Sequence, residues 1–101
     1  MQVNISARHG NIAEETRAKI TEKVSKLSRF LDRITAIDVT VDLEEKETPV
    51  VDVQVHTEYR KDFVAQSQPG ELFISLDEVN RKLEQQLKKY KEKLISSHRA
   101  E

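Results

Sequence analysis

The chain has 101 residues, 37% of them hydrophobic and 35% charged, which suits one charged domain, residues 1-101, with a modest core. With no cysteine, disulfides, thiolate metal sites and cysteine nucleophiles are excluded together, as a reducing compartment allows. The formal net charge of -1 excludes little, because charge is sorted along the chain rather than mixed.

The opening run MQVNISARHG has no basic stretch followed by an apolar one, so no signal peptide is expected. Val3, Ile5 and Ala7 alternate with Asn4 and Ser6, the period of a half-buried strand. His9-Gly10-Asn11 breaks it. Ile20, Val24, Leu27 and Leu31 then recur at spacings of 4, 3 and 4, predicting a helix from about Glu14 to about Leu31 with no clear N-cap. Six bases and two acids lie between Arg17 and Arg33.

Residues 35–44 read as a second strand with Ile37, Val39, Val41 and Leu43 on one face. A polar connection through Pro49 follows. Val51, Val53 and Val55 then mark a third strand, and Arg60-Lys61-Asp62 a hairpin turn. Phe63 to Ser67 is a short fourth strand, with Val64 facing away from Phe63 and Ala65. Five acids and one base occupy residues 37–47. Pro69-Gly70 punctuates the chain before its strongest periodicity: Leu72, Leu76, Val79, Leu83, Leu87, Tyr90 and Leu94. That stripe predicts a helix of roughly 25 residues or more, ending near Ser96. Seven bases and two acids lie between Arg81 and Arg99.

The expected fold is α+β, in the order βαβββα: a four-stranded mixed sheet with two helices packed on one face. The first helix serves as the crossover of a βαβ unit, and the last three strands form an antiparallel meander. One apolar stripe per helix and one apolar face per strand bury one another in this arrangement. The other sheet face, with Asp38, Asp42, Asp52 and Gln54, would be acidic and wet. No segment approaches the roughly 20 apolar residues that span a bilayer, so a soluble, cytoplasmic protein without a membrane partner is expected.

Catalytic patterns are missing. The two glycines, Gly10 and Gly70, make no phosphate loop, and there is no HExxH, GxSxG or calcium loop. His9, His56 and His98 are read as surface or turn residues, with no metal site. Neither enzyme activity, cofactor nor small-molecule substrate is expected.

The basic helices remain. Lys82, Lys89 and Lys93 line one stripe of the second helix, with Lys88 and Arg81 on an adjoining one. Lys19, Lys23, Lys26 and Arg33 line a stripe on the first. Side by side on the sheet, two such stripes would flank one groove able to neutralise phosphates. Too few acids are present to pair these bases within each helix, and a chain needing only solubility would mix the signs. Polyanion binding is therefore the functional reading. Tyr90 reads as a core-edge residue rather than a stacking platform, and five aromatics in all argue against an RNA-recognition sheet.

MQVNISARHGNI at the start, KVSKLSRFLDRI at Lys23–Ile34 and SLDEVNRKLEQQLKKYKEKL at Ser75–Leu94 resemble, in that order and over essentially the whole chain, the ribosome hibernation promoting factor family. That family includes the ribosome-associated inhibitor A and once carried the label sigma-54 modulation protein. The resemblance implies a βαβββα protein that binds the small ribosomal subunit between head and body, contacts 16S ribosomal RNA and stops translation on idle 70S ribosomes in stationary phase or stress. It assigns the RNA contacts to Lys23, Lys26 and Arg33 and to Lys82, Lys89, Lys91 and Lys93; Arg29 and Lys88 are added as bases of the same segments. The chain ends soon after its second helix, so it is expected to be the short form, with a second factor conceivable for ribosome dimers. Arg8-His9 departs from the family pattern and serves either as an RNA contact or as a shaper of the turn. A generic double-stranded RNA-binding module and a protein-interaction module of a stress regulator are the alternatives.

Overall fold

The computed structural model describes residues 1–68 and 70–99. The predicted turn at Pro69 and the side chain of His98 lie outside that description. The elements run β1 (Gln2–Arg8), α1 (Glu14–Ser25), a 3-10 turn (Lys26–Arg29), β2 (Ile34–Asp42), β3 (Val50–Thr57), β4 (Asp62–Ser67) and α2 (Leu72–Arg99). The sheet order is β1-β2-β3-β4, parallel between β1 and β2 and antiparallel beyond, as the βαβ crossover and meander require.

Alternation in the strands decides which face is covered. Ile37, Val39, Val41, Val51, Val53, Val55, Phe63 and Ala65 are buried on one face, against Ile20, Val24, Leu27, Leu76, Val79, Leu83 and Leu87 from the helices. Val64 points the other way and is exposed. α1 lies toward β1, and α2 lies across β3 and β4.

The ends of three elements differ from the sequence reading, and β2 and β4 each start one residue earlier, at Ile34 and Asp62. The first helix stops as an α-helix at Ser25, and Lys26–Arg29 tightens into a 3-10 turn. Ser28 Oγ donates to Ser25 O at 2.9 Å, a serine competing with the regular helical ladder. Leu27 and Leu31 still reach the core. β2 ends at Asp42 rather than residue 44, because Leu43 folds over the turn after β1: its amide donates to Arg8 O at 2.8 Å. Gly10 makes room, since a Cβ there would lie 2.9 Å from Leu43 Cδ1. α2 continues to Arg99. Ala13 at the start of α1 makes no side-chain cap, whereas Glu71 caps α2, its Oε1 accepting from Ile74 N at 3.0 Å.

The helices also reach the two open edges of the sheet. Arg17 donates to Ile5 O on β1 at 2.9 Å. Lys82 donates to Gln66 O at 3.1 Å and Gln86 to Val64 O at 3.1 Å, both on β4.

Candidate nucleic-acid interface

The helices run side by side, and a groove of ≈ 410 Å³ opens between them. Its basic wall is Lys23 from α1, Lys26 and Arg29 from the 3-10 turn and Arg81 from α2, over Leu27 and Phe30. The tightening at Lys26 turns Arg29 and Phe30 toward α2. Asp77 and Glu84 are the groove's acids; Asp77 holds Lys23 at 2.9 Å and Glu84 holds Lys88 at 3.6 Å. Asn80 fastens the helices by donating from Nδ2 to Lys23 O at 3.2 Å. That bond fixes the amide orientation and leaves Asn80 Oδ1 buried without a partner among the described residues.

The expected pair of stripes flanking one groove is not what forms. Lys82, Lys89 and Lys93 lie on the opposite flank of α2, beside β4 and its hairpin, where Lys89 and Lys93 border Lys61, Asp62 and Phe63. Lys23, Lys26 and Arg29 are instead joined by Arg81, which the spacing had placed only on an adjoining stripe. The cause is helix rotation. The buried Leu76–Leu83–Leu87 seam fixes which flank of α2 meets α1, and Lys82 falls on the other one. Lys88 sits near the crest, its Nζ 5.1 Å from the Phe30 ring centre. Lys91 lies about three turns beyond Asn80, hence on the groove flank. Arg33 stands past the end of the groove with φ 61 and its Nη1 4.0 Å from Glu58 Oε2.

These cations are not equally free. Lys82 is held by Gln66 O and by Glu78 at 3.4 Å. Among the described residues, Lys26, Arg29, Arg81, Lys89, Lys91 and Lys93 have no carboxylate within 4.0 Å.

Aromatic side chains supply what sequence reasoning missed. Tyr90 packs edge-on against Tyr59 and Phe63, ring centres 5.6 and 5.4 Å away, and so belongs to the core edge as expected. Tyr59 donates its hydroxyl to Asp32, which raises the phenol's pKa. Phe30 and Phe73, however, are half-buried with lysines over them: Lys19 and Lys23 stand 6.0 and 5.8 Å from the Phe73 ring centre. Phe73 lies well off the Leu72–Leu76–Val79 stripe, which was the available signal.

The outer sheet face is polar but not simply acidic. His56 bridges Asp38, 2.8 Å from Nε2, and Asp62, 3.2 Å from Nδ1. The Asp38 hydrogen bond, ahead of the bond to Asp62, raises the imidazole pKa against a burial penalty. Asp38 is lowered, first by Asn4, whose Nδ2 donates at 2.8 Å, then by His56. His9, at φ 59, lies with Nδ1 2.8 Å from Asp42 Oδ1 and so shapes the turn. His9, Asp42 and Glu44 are near enough to share a cation. Asp42 Oδ1 already accepts from Glu44 N as well as the His9 ring, bonds that account for the cluster without a cation.

Comparison with known proteins agrees with this architecture. The chain matches the family described as "Sigma 54 modulation protein / S30EA ribosomal protein" over residues 3–95. The chain belongs to that family. The family is one of ribosome-binding proteins and not of enzymes. A ribosome hibernation promoting factor of Azotobacter vinelandii is 33% identical over 95 residues, covering 94% of this chain and 87% of that one. One from Escherichia coli K12 is 32% identical over 94 residues, covering 93% and 97%. Among solved structures, a ribosomal subunit interface protein from Coxiella burnetii superposes with a TM-score of 0.74 at 28% identity, covering 90% of this chain and 98% of its own. The N-terminal domain of Thermus thermophilus Protein Y gives 0.78 at 20% identity, covering 89% and 99%, a likeness of fold. No described helix of this family member is long and apolar enough to cross a membrane.

Proposed function

We propose that this protein is a ribosome hibernation factor whose residues 1–101 act as one ribosome-binding domain. Its helical face binds the small ribosomal subunit, contacts 16S ribosomal RNA and fills the channel that mRNA and tRNA would use. Inhibition is by occupancy, in the cytoplasm, during stationary phase or stress; no bond is made or broken. The observation that carries this reading is the row of cations along the interhelical groove, among which Lys26, Arg29 and Arg81 have no carboxylate within 4.0 Å among the described residues. Unpaired cations on a rigid two-helix face suit phosphates, whose condensed counterions they release. Lys89, Lys91 and Lys93 extend that charge along α2, whose 28 residues reach past the sheet. The names of the relatives support the same reading.

Co-sedimentation through sucrose gradients with purified bacterial subunits and 70S ribosomes tests it. Stoichiometric binding to 30S and 70S particles that resists free duplex RNA is the expected result, and a 100S peak would add ribosome dimers. Protein remaining at the top of every gradient refutes it and favours a protein-interaction module.

A further inference from the structure

The groove between the helices does not end at Lys23. A second depression of ≈ 380 Å³, lined by Lys19, Glu22, Lys23, Lys26 and Phe73, shares Lys23 and Lys26 with the first. The two form one trough with Phe73 at the start and Phe30 toward the far end. We propose that this trough takes unpaired ribosomal RNA nucleotides, with the faces of Phe73 and Phe30 as platforms for two separate bases and the cations between them on the connecting phosphates. The proposal rests on the ribosome-binding reading above and deepens it by naming the RNA class.

Three features point this way. First, each ring packs on the core with part of its surface open to the trough, so a base could lie on it without unpacking the fold. Second, the rings already have ammonium groups over them, two over Phe73 at 5.8 and 6.0 Å and one over Phe30 at 5.1 Å. An exposed cation–π contact of this kind is weak. A lysine can leave the ring for a neighbouring phosphate while a base takes its place. Third, spacing matches a splayed strand. Residues 73 and 84 are about 16 Å apart along α2, and Glu84 lies in the groove beside Phe30. Stacked bases rise only about 3.4 Å each, so the rings cannot serve neighbouring bases of a continuous stack. In an A-form duplex the bases are stacked on each other and paired, and their faces are closed to side chains.

The test uses the full chain and 30S subunits, with affinity measured across a salt series for wild type, Phe30→Leu, Phe73→Leu and the two tyrosine variants. Each leucine variant is expected to bind about tenfold more weakly, since stacking on an aromatic face is lost. The slope of log K against log salt should not change, because no phosphate contact has gone. Tyrosine keeps a ring and should restore binding. Leucine variants that bind like wild type overturn the proposal and leave the hibernation reading intact. Affinity and salt slope falling together also overturn it, since the rings would then serve only to position lysines. Wild type that fails to bind 30S refutes the parent reading and this one with it. If the leucine variants do not fold, a single-stranded RNA containing 2-aminopurine decides on wild type: quenching on binding supports stacking, and an unchanged spectrum in the bound state overturns it.

Discussion

Replacing Lys26, Arg29 and Arg81 together with alanine removes three groove cations without breaking a recorded ion pair or packing contact of the core. All three are exposed and, among the described residues, none has a carboxylate within 4.0 Å. Surface changes of this kind alter stability by about 0.5 kcal/mol or less each. For a domain near 100 residues even 1 kcal/mol moves the melting midpoint by only about 4–8 °C. Binding should respond very differently. Each phosphate contact contributes about 0.7 to 0.9 to the slope of log K against log salt. Losing three lowers the slope by about 2 to 2.7, so the gap between wild type and variant should narrow by about 20- to 40-fold from 50 to 200 mM salt. Fluorescence titration of 30S subunits at four or five salt concentrations measures both lines. Parallel lines would refute the reasoning: the three cations would then not touch phosphate, however much affinity changed.

On the far flank of α2, Lys89→Glu combined with Lys93→Glu should release the protein from 30S fractions at unchanged melting temperature. Lys82→Ala should cost less binding than Lys89→Ala in the same gradients, because the Lys82 ammonium is already held by Gln66 O and Glu78. In the core, Leu83→Ala, at a fully buried position, should destabilise by about 2–5 kcal/mol in urea unfolding. For His56, the raised folded pKa means the folded state holds its proton more tightly than the unfolded one. The resulting stabilisation is complete below the ordinary imidazole value of 6.5 and is lost as pH rises through the folded value. Urea midpoints of wild type should therefore decline above pH 6.5 and those of His56→Gln should not; identical profiles would rule out the bridge to Asp38 and Asp62 as their source.

Periodicity made most of the fold legible. The Leu76–Leu94 seam and the alternating valines of β2 and β3 identify faces, and two faces of matching polarity leave one way to stack. The end of α1 was not legible, because Val24 and Leu27, three residues apart, share a face whether the backbone is α or 3-10; the local Ser25–Ser28 competition distinguishes them. The interface was legible as a charge and not as a shape. A helical wheel tells which lysines share a stripe, but not which flank faces α1. That depends on the seating of Leu83 and Leu87 on the sheet, and it separated Lys82, Lys89 and Lys93 from Lys23 and Lys26. Arg81 and Phe73 face that side for the same reason, and Phe30 is brought there by the 3-10 turn.

An open sheet edge invites another strand, from a second copy or from any extended segment nearby. Here the helices that carry the cations also guard both edges: Arg17 covers a carbonyl of β1, and Lys82 and Gln86 cover carbonyls of β4. The guard on β4 is conditional. The Lys82 ammonium already faces Gln66 O and Glu78, so a phosphate would compete with both for its three donors. In the free protein Lys82 lies on the strand, a placement that blunts the edge against a second strand. In the proposed ribosome-bound state, RNA lying against α2 would shield that edge in its place. Lys82→Glu would leave Gln86 alone on β4, and the free chain should then self-associate more readily than wild type.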